Sequence, residues 1–120
     1  MSEILVVDDD AQLRQSFAKL LGEEGYTVRM ALSGEAGIAA VEEKLPDLVV
    51  LDVRLPGVDG LEALERIQKI DAKLPVVIMT AFGTTETAIE ATKQGAFDYV
   101  LKPFDIPEML KVIGQAVAAG

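Results

Sequence analysis

Asp52 ends the apolar run Leu48-Val49-Val50-Leu51, and Asp8-Asp9-Asp10 ends another, Ile4-Leu5-Val6-Val7. Three further apolar or β-rich runs end near Ala31-Leu32, Thr80 and Lys102. If these runs are parallel strands of one sheet, their ends lie on one rim, where three acids, a hydroxyl and an ammonium meet. Each residue alone has a plain use as a cap or a solvated charge, and Asp10 is expected to cap the helix that follows it. Asp8, Asp9 and Asp52 together are harder to explain that way. Two carboxylates 4 Å apart repel by about 4 kcal/mol at an effective dielectric near 20. Packing does not require such a cluster, and a divalent cation would relieve it. All-oxygen ligands suit Mg²⁺ or Mn²⁺. A carboxylate can also attack phosphorus to give an acyl phosphate. A cation and Lys102 would then offset charge on the transferring group. Thr80 could hydrogen-bond a phosphoryl oxygen, and the small Ala81 beside it leaves room for that group.

Composition narrows the chemistry. The 120 residues contain neither Cys nor His. Disulfides, thiolate metal sites, His nucleophiles and most zinc sites are therefore excluded. The net charge of −9 argues against direct nucleic-acid contact, which needs clustered Lys and Arg. Half the residues are hydrophobic, enough for the core of one domain spanning residues 1–120. No apolar run approaches the roughly 20 residues of a membrane span. Met1-Ser2-Glu3 leads straight into the first run, so no signal peptide is expected and a cytoplasmic location fits.

The elements that must position these residues follow from periodicity. Ile4–Val7, Thr27–Met30, Leu48–Leu51, Val76–Met79 and Phe97–Leu101 read as strands. Between them lie helical spacings: Leu13, Phe17, Leu20 and Leu21; Ile38, Val41 and Leu45; Leu61, Leu64 and Ile67; and finally Leu110, Ile113 and Val117. The segment from Thr84 to Gln94 is weaker, with Ala88, Ile89 and Ala91 as its apolar face. Ser33 is expected to cap the second helix, and Asp105 with Glu108 resembles a capping box around Pro107. Gly22, Gly25 and Gly95 suit helix ends. A fivefold β-α alternation means a parallel sheet with helices on both faces. The first, third and fourth runs are continuously apolar and hence central, whereas the second and fifth alternate as edge strands do. Those edges are compatible with strand order 2-1-3-4-5, the flavodoxin-like doubly wound (βα)5 arrangement. Its topological switch lies between the first and third strands, and ligands bind at the carboxyl ends beside it. Asp8, Asp9 and Asp52 fall there.

Val6-Val7-Asp8-Asp9-Asp10, the segment from Leu51-Asp52 to Asp59-Gly60, Met79-Thr80-Ala81 and Asp98-Tyr99-Val100-Leu101-Lys102-Pro103-Phe104 resemble the receiver domain of two-component response regulators. The resemblance covers essentially the whole chain, with its motifs in order across all five strands. It implies that Asp52 is the phosphoacceptor for a histidine kinase. Asp9, Asp52 and the backbone carbonyl of Arg54 would hold Mg²⁺, with Asp8 assisting through water. Thr80 and Lys102 would contact the phosphoryl group, and Tyr99 would be the switch aromatic. The Lys102-Pro103 peptide would be cis. Such a domain catalyses its own phosphorylation and slow dephosphorylation, yet acts as a signalling switch rather than an enzyme. Its output face would comprise the fourth helix, fifth strand and fifth helix, meeting a second copy or an output domain.

Met79 to Ala88, Gly95 to Tyr99 and Lys102 to Asp105 are similar to receivers of NtrC-type transcriptional activators, which carry an AAA+ ATPase and a DNA-binding domain after the receiver. A stand-alone phosphorelay receiver is the alternative. A haloacid-dehalogenase-like phosphatase also uses a strand-end Asp and Mg²⁺. Asp8-Asp9-Asp10-Ala11-Gln12 lacks the Thr or Val that its signature places two residues on, and there is no room for a cap domain. A flavodoxin would place hydroxyls and amides, not acids, in the first loop.

Overall fold

In the computed structural model, residues 2–54, 59–81, 85–102 and 105–119 are described, residues 80, 81, 85, 87, 88 and 102 by their backbone alone. The chain alternates strand and helix five times. The elements are β1 (Glu3–Val7), α1 (Ala11–Glu23), β2 (Thr27–Ala31), α2 (Gly34–Glu43), β3 (Leu48–Asp52), α3 (Gly60–Ile70), β4 (Val76–Ala81), α4 (Thr85–Gln94), β5 (Asp98–Lys102) and α5 (Ile106–Ala119). All strand pairs are parallel, in the order β2-β1-β3-β4-β5 expected from the apolar runs.

The central strands are apolar throughout because both their faces are covered. Leu5, Val7, Val49, Leu51, Val76 and Ile78 face one layer, where they meet Val41, Ala63, Leu64, Ile67 and Ala91. The alternate residues Ile4, Val6, Leu48, Val50, Val77 and Met79 face the other, with Phe17, Leu21, Met109, Val112 and Ile113. This period-two division assigns α2, α3 and α4 to one side and α1 and α5 to the other.

Helix starts follow the local chemistry. Asp10 caps α1, its carboxylate accepting the Gln12 and Leu13 N–H groups. Ser33 Oγ accepts the Ala36 N–H at the start of α2. Asp105 precedes α5 as expected, and its carbonyl accepts the Met109 N–H at 2.9 Å.

Several expectations need correction. Gly22 lies inside α1, and the turn is made by Gly25 at φ +89°. Leu45 is not on a helical face: α2 ends at Glu43, and Leu45 is exposed in the loop beyond. Ile89 also points to solvent, so Ala91 is the buried side chain described on α4. The fifth strand starts at Asp98, opposite Val77, and runs on to Lys102, opposite Ala81; Phe97 and Leu101 are exposed rather than core residues.

Candidate functional site

Register brings the acids together. Val7 pairs with Leu51 across β1 and β3, so the next residues, Asp8 and Asp52, leave the sheet side by side on strands about 4.8 Å apart. Ladder bonds continue to the rim. The Asp8 N–H donates to the Ala31 carbonyl at 3.1 Å, and the Val53 N–H donates to the Met79 carbonyl at 3.1 Å. The backbone on either side of the site is therefore held by the sheet itself.

Asp8 is fully buried, Asp52 is 6% exposed and Asp9 is open to solvent. One carboxylate oxygen from each lies within 4.8 Å of the others. At that separation each charged pair repels by about 3.5 kcal/mol for an effective dielectric near 20. Backbone donors offset part of this. The Asp10 N–H donates to Asp8 Oδ1 at 2.8 Å, and the Arg54 N–H donates to Asp52 Oδ1 at 3.0 Å. A carboxylate has two oxygens, so each acid can keep its loop hydrogen bond and still offer a ligand atom. Three converging carboxylates, two of them buried, are the donor set of a hard divalent cation such as Mg²⁺ or Mn²⁺. The residues present fit that group.

Thr80, Lys102 and Arg54 occupy the same rim by backbone position, and Tyr99 lies on β5 in the row of Ile78 and Leu51, inside it. Asp52 is in register with Met79, so Thr80 on β4 follows one residue beyond that row. Thr80 pairs with Leu101 and Ala81 with Lys102 on β5. Arg54 lies two residues beyond Asp52, joined to it by the hydrogen bond above. Tyr99 lies on β5, partly exposed. The Lys102-Pro103 peptide and the motif residues 55–58 and 82–84 lie outside the described residues.

Two positioning residues, Asp59 and Gly60, belong to the motif that ends in them but had no individual role in the sequence reading. A Cβ on Gly60 would lie 2.4 Å from the Val53 Cα and 2.5 Å from the Asp52 carbonyl oxygen. Only glycine lets the first turn of α3 approach the backbone directly after Asp52, and the Gly60 N–H donates to the Val53 carbonyl at 2.9 Å. Asp59 caps α3 by accepting the Glu62 N–H at 2.9 Å. The signal was present in Asp59-Gly60 followed by Glu62, a cap pattern abutting a helix.

Among the described residues, no helix is long and apolar enough to cross a membrane. The sequence model of the response regulator receiver domain matches residues 4–114. The transcriptional regulatory protein ZraR of Salmonella typhimurium is 43% identical over 116 residues, covering 97% of this chain and 26% of that protein. The DNA-binding transcriptional regulator NtrC of the same organism is 40% identical over 115 residues, covering 96% of this chain and 24% of its own length. The chain thus spans about a quarter of the length of these relatives. The crystal structure of the receiver domain of NtrX from Brucella abortus superposes with a TM-score of 0.93 at 38% identity, covering 98% of this chain and 99% of that one. The acid cluster at the β1–β3 switch point thus sits in a chain that belongs to the response regulator receiver family, a family of signalling switches, with NtrC- and ZraR-type regulators among its relatives.

Proposed function

We propose that residues 1–120 form a phosphoacceptor domain in which Asp52 takes a phosphoryl group from a phosphohistidine of a sensor kinase. The convergence of Asp8, Asp9 and Asp52 at the end of the sheet carries this reading. Asp9, Asp52 and the Arg54 carbonyl would hold Mg²⁺, with Asp8 assisting through water. When bound, the cation supplies positive charge opposite the transferring phosphoryl oxygens. An Asp52 carboxylate oxygen forms the new P–O bond as the donor's P–N bond breaks, and the imidazole leaves with the electron pair and takes up a proton. The Arg54 N–H keeps the carboxylate oriented for that attack. Lys102 stabilises charge on the phosphoryl oxygens, and Thr80 hydrogen-bonds one of them. Hydrolysis of the acyl phosphate resets the domain slowly.

The new charge biases a two-state equilibrium through Thr80, Tyr99 and α4. Moving such an equilibrium from 1:99 to 99:1 takes about 5.5 kcal/mol. One hydrogen bond to a charged group supplies roughly 1.5–3 kcal/mol. Thr80 and Lys102 must therefore act together. The output is read on α4, β5 and α5 by a second copy or an output domain, in a cytoplasmic transcription regulator with AAA+ and DNA-binding parts. Intact-mass spectrometry after incubation with acetyl phosphate and Mg²⁺ tests the reading. One added phosphoryl group is expected on the unaltered chain and none on Asp52→Ala. Full labelling of Asp52→Ala would reject it.

A further inference from the structure

The end of β1 rests against α2 at a residue that has no side chain. Gly37 is buried in the first half of α2, and Val7, fully buried, is the last residue of β1 before Asp8. A Cβ at Gly37 would lie 2.8 and 3.1 Å from the two Val7 methyl carbons and 3.5 Å from the Val7 Cβ. The methyl groups straddle the glycine, so every staggered χ1 of Val7 keeps at least one of them against it. Turning the side chain therefore cannot clear the space.

The adjoining chain leaves little slack either. Ala31 pairs with Val7 across the sheet, and its carbonyl accepts the Asp8 N–H at 3.1 Å. Only Leu32 and Ser33 separate Ala31 from α2, and the Ser33 carbonyl accepts the Gly37 N–H at 2.9 Å. A shift of α2 away from Val7 thus pulls on the carbonyl that holds Asp8. A shift of Val7 away from α2 moves Asp8 directly, because the two are bonded neighbours. Asp8 in turn accepts the Asp10 N–H at 2.8 Å, so Asp9 lies inside the same tied turn.

We infer that Gly37 is a positioning residue for the acid cluster: its bare contact with Val7 sets where Asp8 and Asp9 stand relative to Asp52. The inference rests on the cation site proposed above and names what aligns that site from the α2 side.

The test compares the unaltered chain with Gly37→Ala, Val7→Ala and the double variant by nitrogen-15 NMR, Mg²⁺ titration and urea unfolding. Alanine is the better helix former, so Gly37→Ala is expected to fold. Its Asp8, Asp9 and Asp10 amide signals should move before any metal is added. Its Mg²⁺ affinity should fall about tenfold, the low end for residues that orient metal ligands. Val7→Ala removes both methyl groups that the new Cβ would meet. The double variant should therefore regain most of the lost affinity, although it forfeits buried methyl groups and unfolds at lower urea than Gly37→Ala. A packing role alone would make affinity follow stability, whereas here the less stable variant binds better. Unmoved Asp8, Asp9 and Asp10 signals in Gly37→Ala would overturn the inference. So would Mg²⁺ affinity equal to that of the unaltered chain, or a double variant that binds no better than Gly37→Ala. Absence of Mg²⁺ binding to the unaltered chain rejects the cation site alone, and the amide signals then decide the role of Gly37.

Discussion

Asp9 differs from Asp8 and Asp52 in being exposed, held by neither the core nor a loop hydrogen bond described for it. It is therefore free to turn toward a cation, whereas Asp8 is fixed by burial and by the Asp10 N–H. Removing Asp9 should weaken Mg²⁺ binding with little effect on folding. Titration of Asp9→Ala is expected to show a loss of about tenfold or more, since few protein ligands share the ion. Unchanged affinity would contradict the ligand set. Gly60 acts in the opposite way, through backbone alone. Gly60→Ala forces a methyl group into the Val53 and Asp52 backbone, which cannot rotate away. A cost of about 1–3 kcal/mol in chemical denaturation is expected, as for overpacking, together with weaker Mg²⁺ binding. An unaltered midpoint and affinity would show that α3 yields instead. The acids were legible in the sequence because their types and strand-end positions announce them. Gly60 was not, because its role is a missing atom that only the approach of α3 reveals.

At the scale of elements, the strands were legible to within a residue or so because the central ones are apolar on both faces. The misreadings, Leu45 and Ile89, share a cause: an apolar residue at helical spacing reads as core although the helix has ended or turned it outward. Sequence spacing also hid how the edge strand β2 is fastened. Arg29 donates from one nitrogen to Glu3 Oε1 at 2.9 Å and to the Lys44 carbonyl at 2.7 Å, and from the other to the Ala40 carbonyl at 2.7 Å. It thus supplies a donor to the Lys44 carbonyl just past the end of α2 and a second donor to the Ala40 carbonyl, which also accepts the Lys44 N–H. The pair of Lys44 with Glu3, whose ammonium side is mostly exposed, contributes little by comparison. Arg29→Ala should lower stability by about 1–3 kcal/mol, because the Lys44 carbonyl and part-buried Glu3 lose a charged donor and the Ala40 carbonyl loses its second one. Urea unfolding measures this. A change below about 0.5 kcal/mol, the usual range of a plain surface substitution, would mean water replaces the guanidinium without loss.

For the whole molecule, two apolar layers share one sheet, and the chemistry stands at its end. The strand order expected from apolar runs and the site expected from strand ends support each other, because order 2-1-3-4-5 is what makes Asp8 and Asp52 neighbours. Net charge of −9 then has a consequence beyond solubility. It disfavours a further anion near the rim unless cations compensate, so phosphoryl transfer should require the divalent ion rather than merely be assisted by it. The most direct measurement locates the phosphoryl group itself. After acetyl phosphate treatment, borohydride trapping of the acyl phosphate followed by peptide mass spectrometry should mark Asp52 alone, and only when Mg²⁺ is present. Marking of Asp8 or Asp9 in its place, or equal marking of Asp52 in the presence of a chelator, would contradict the account.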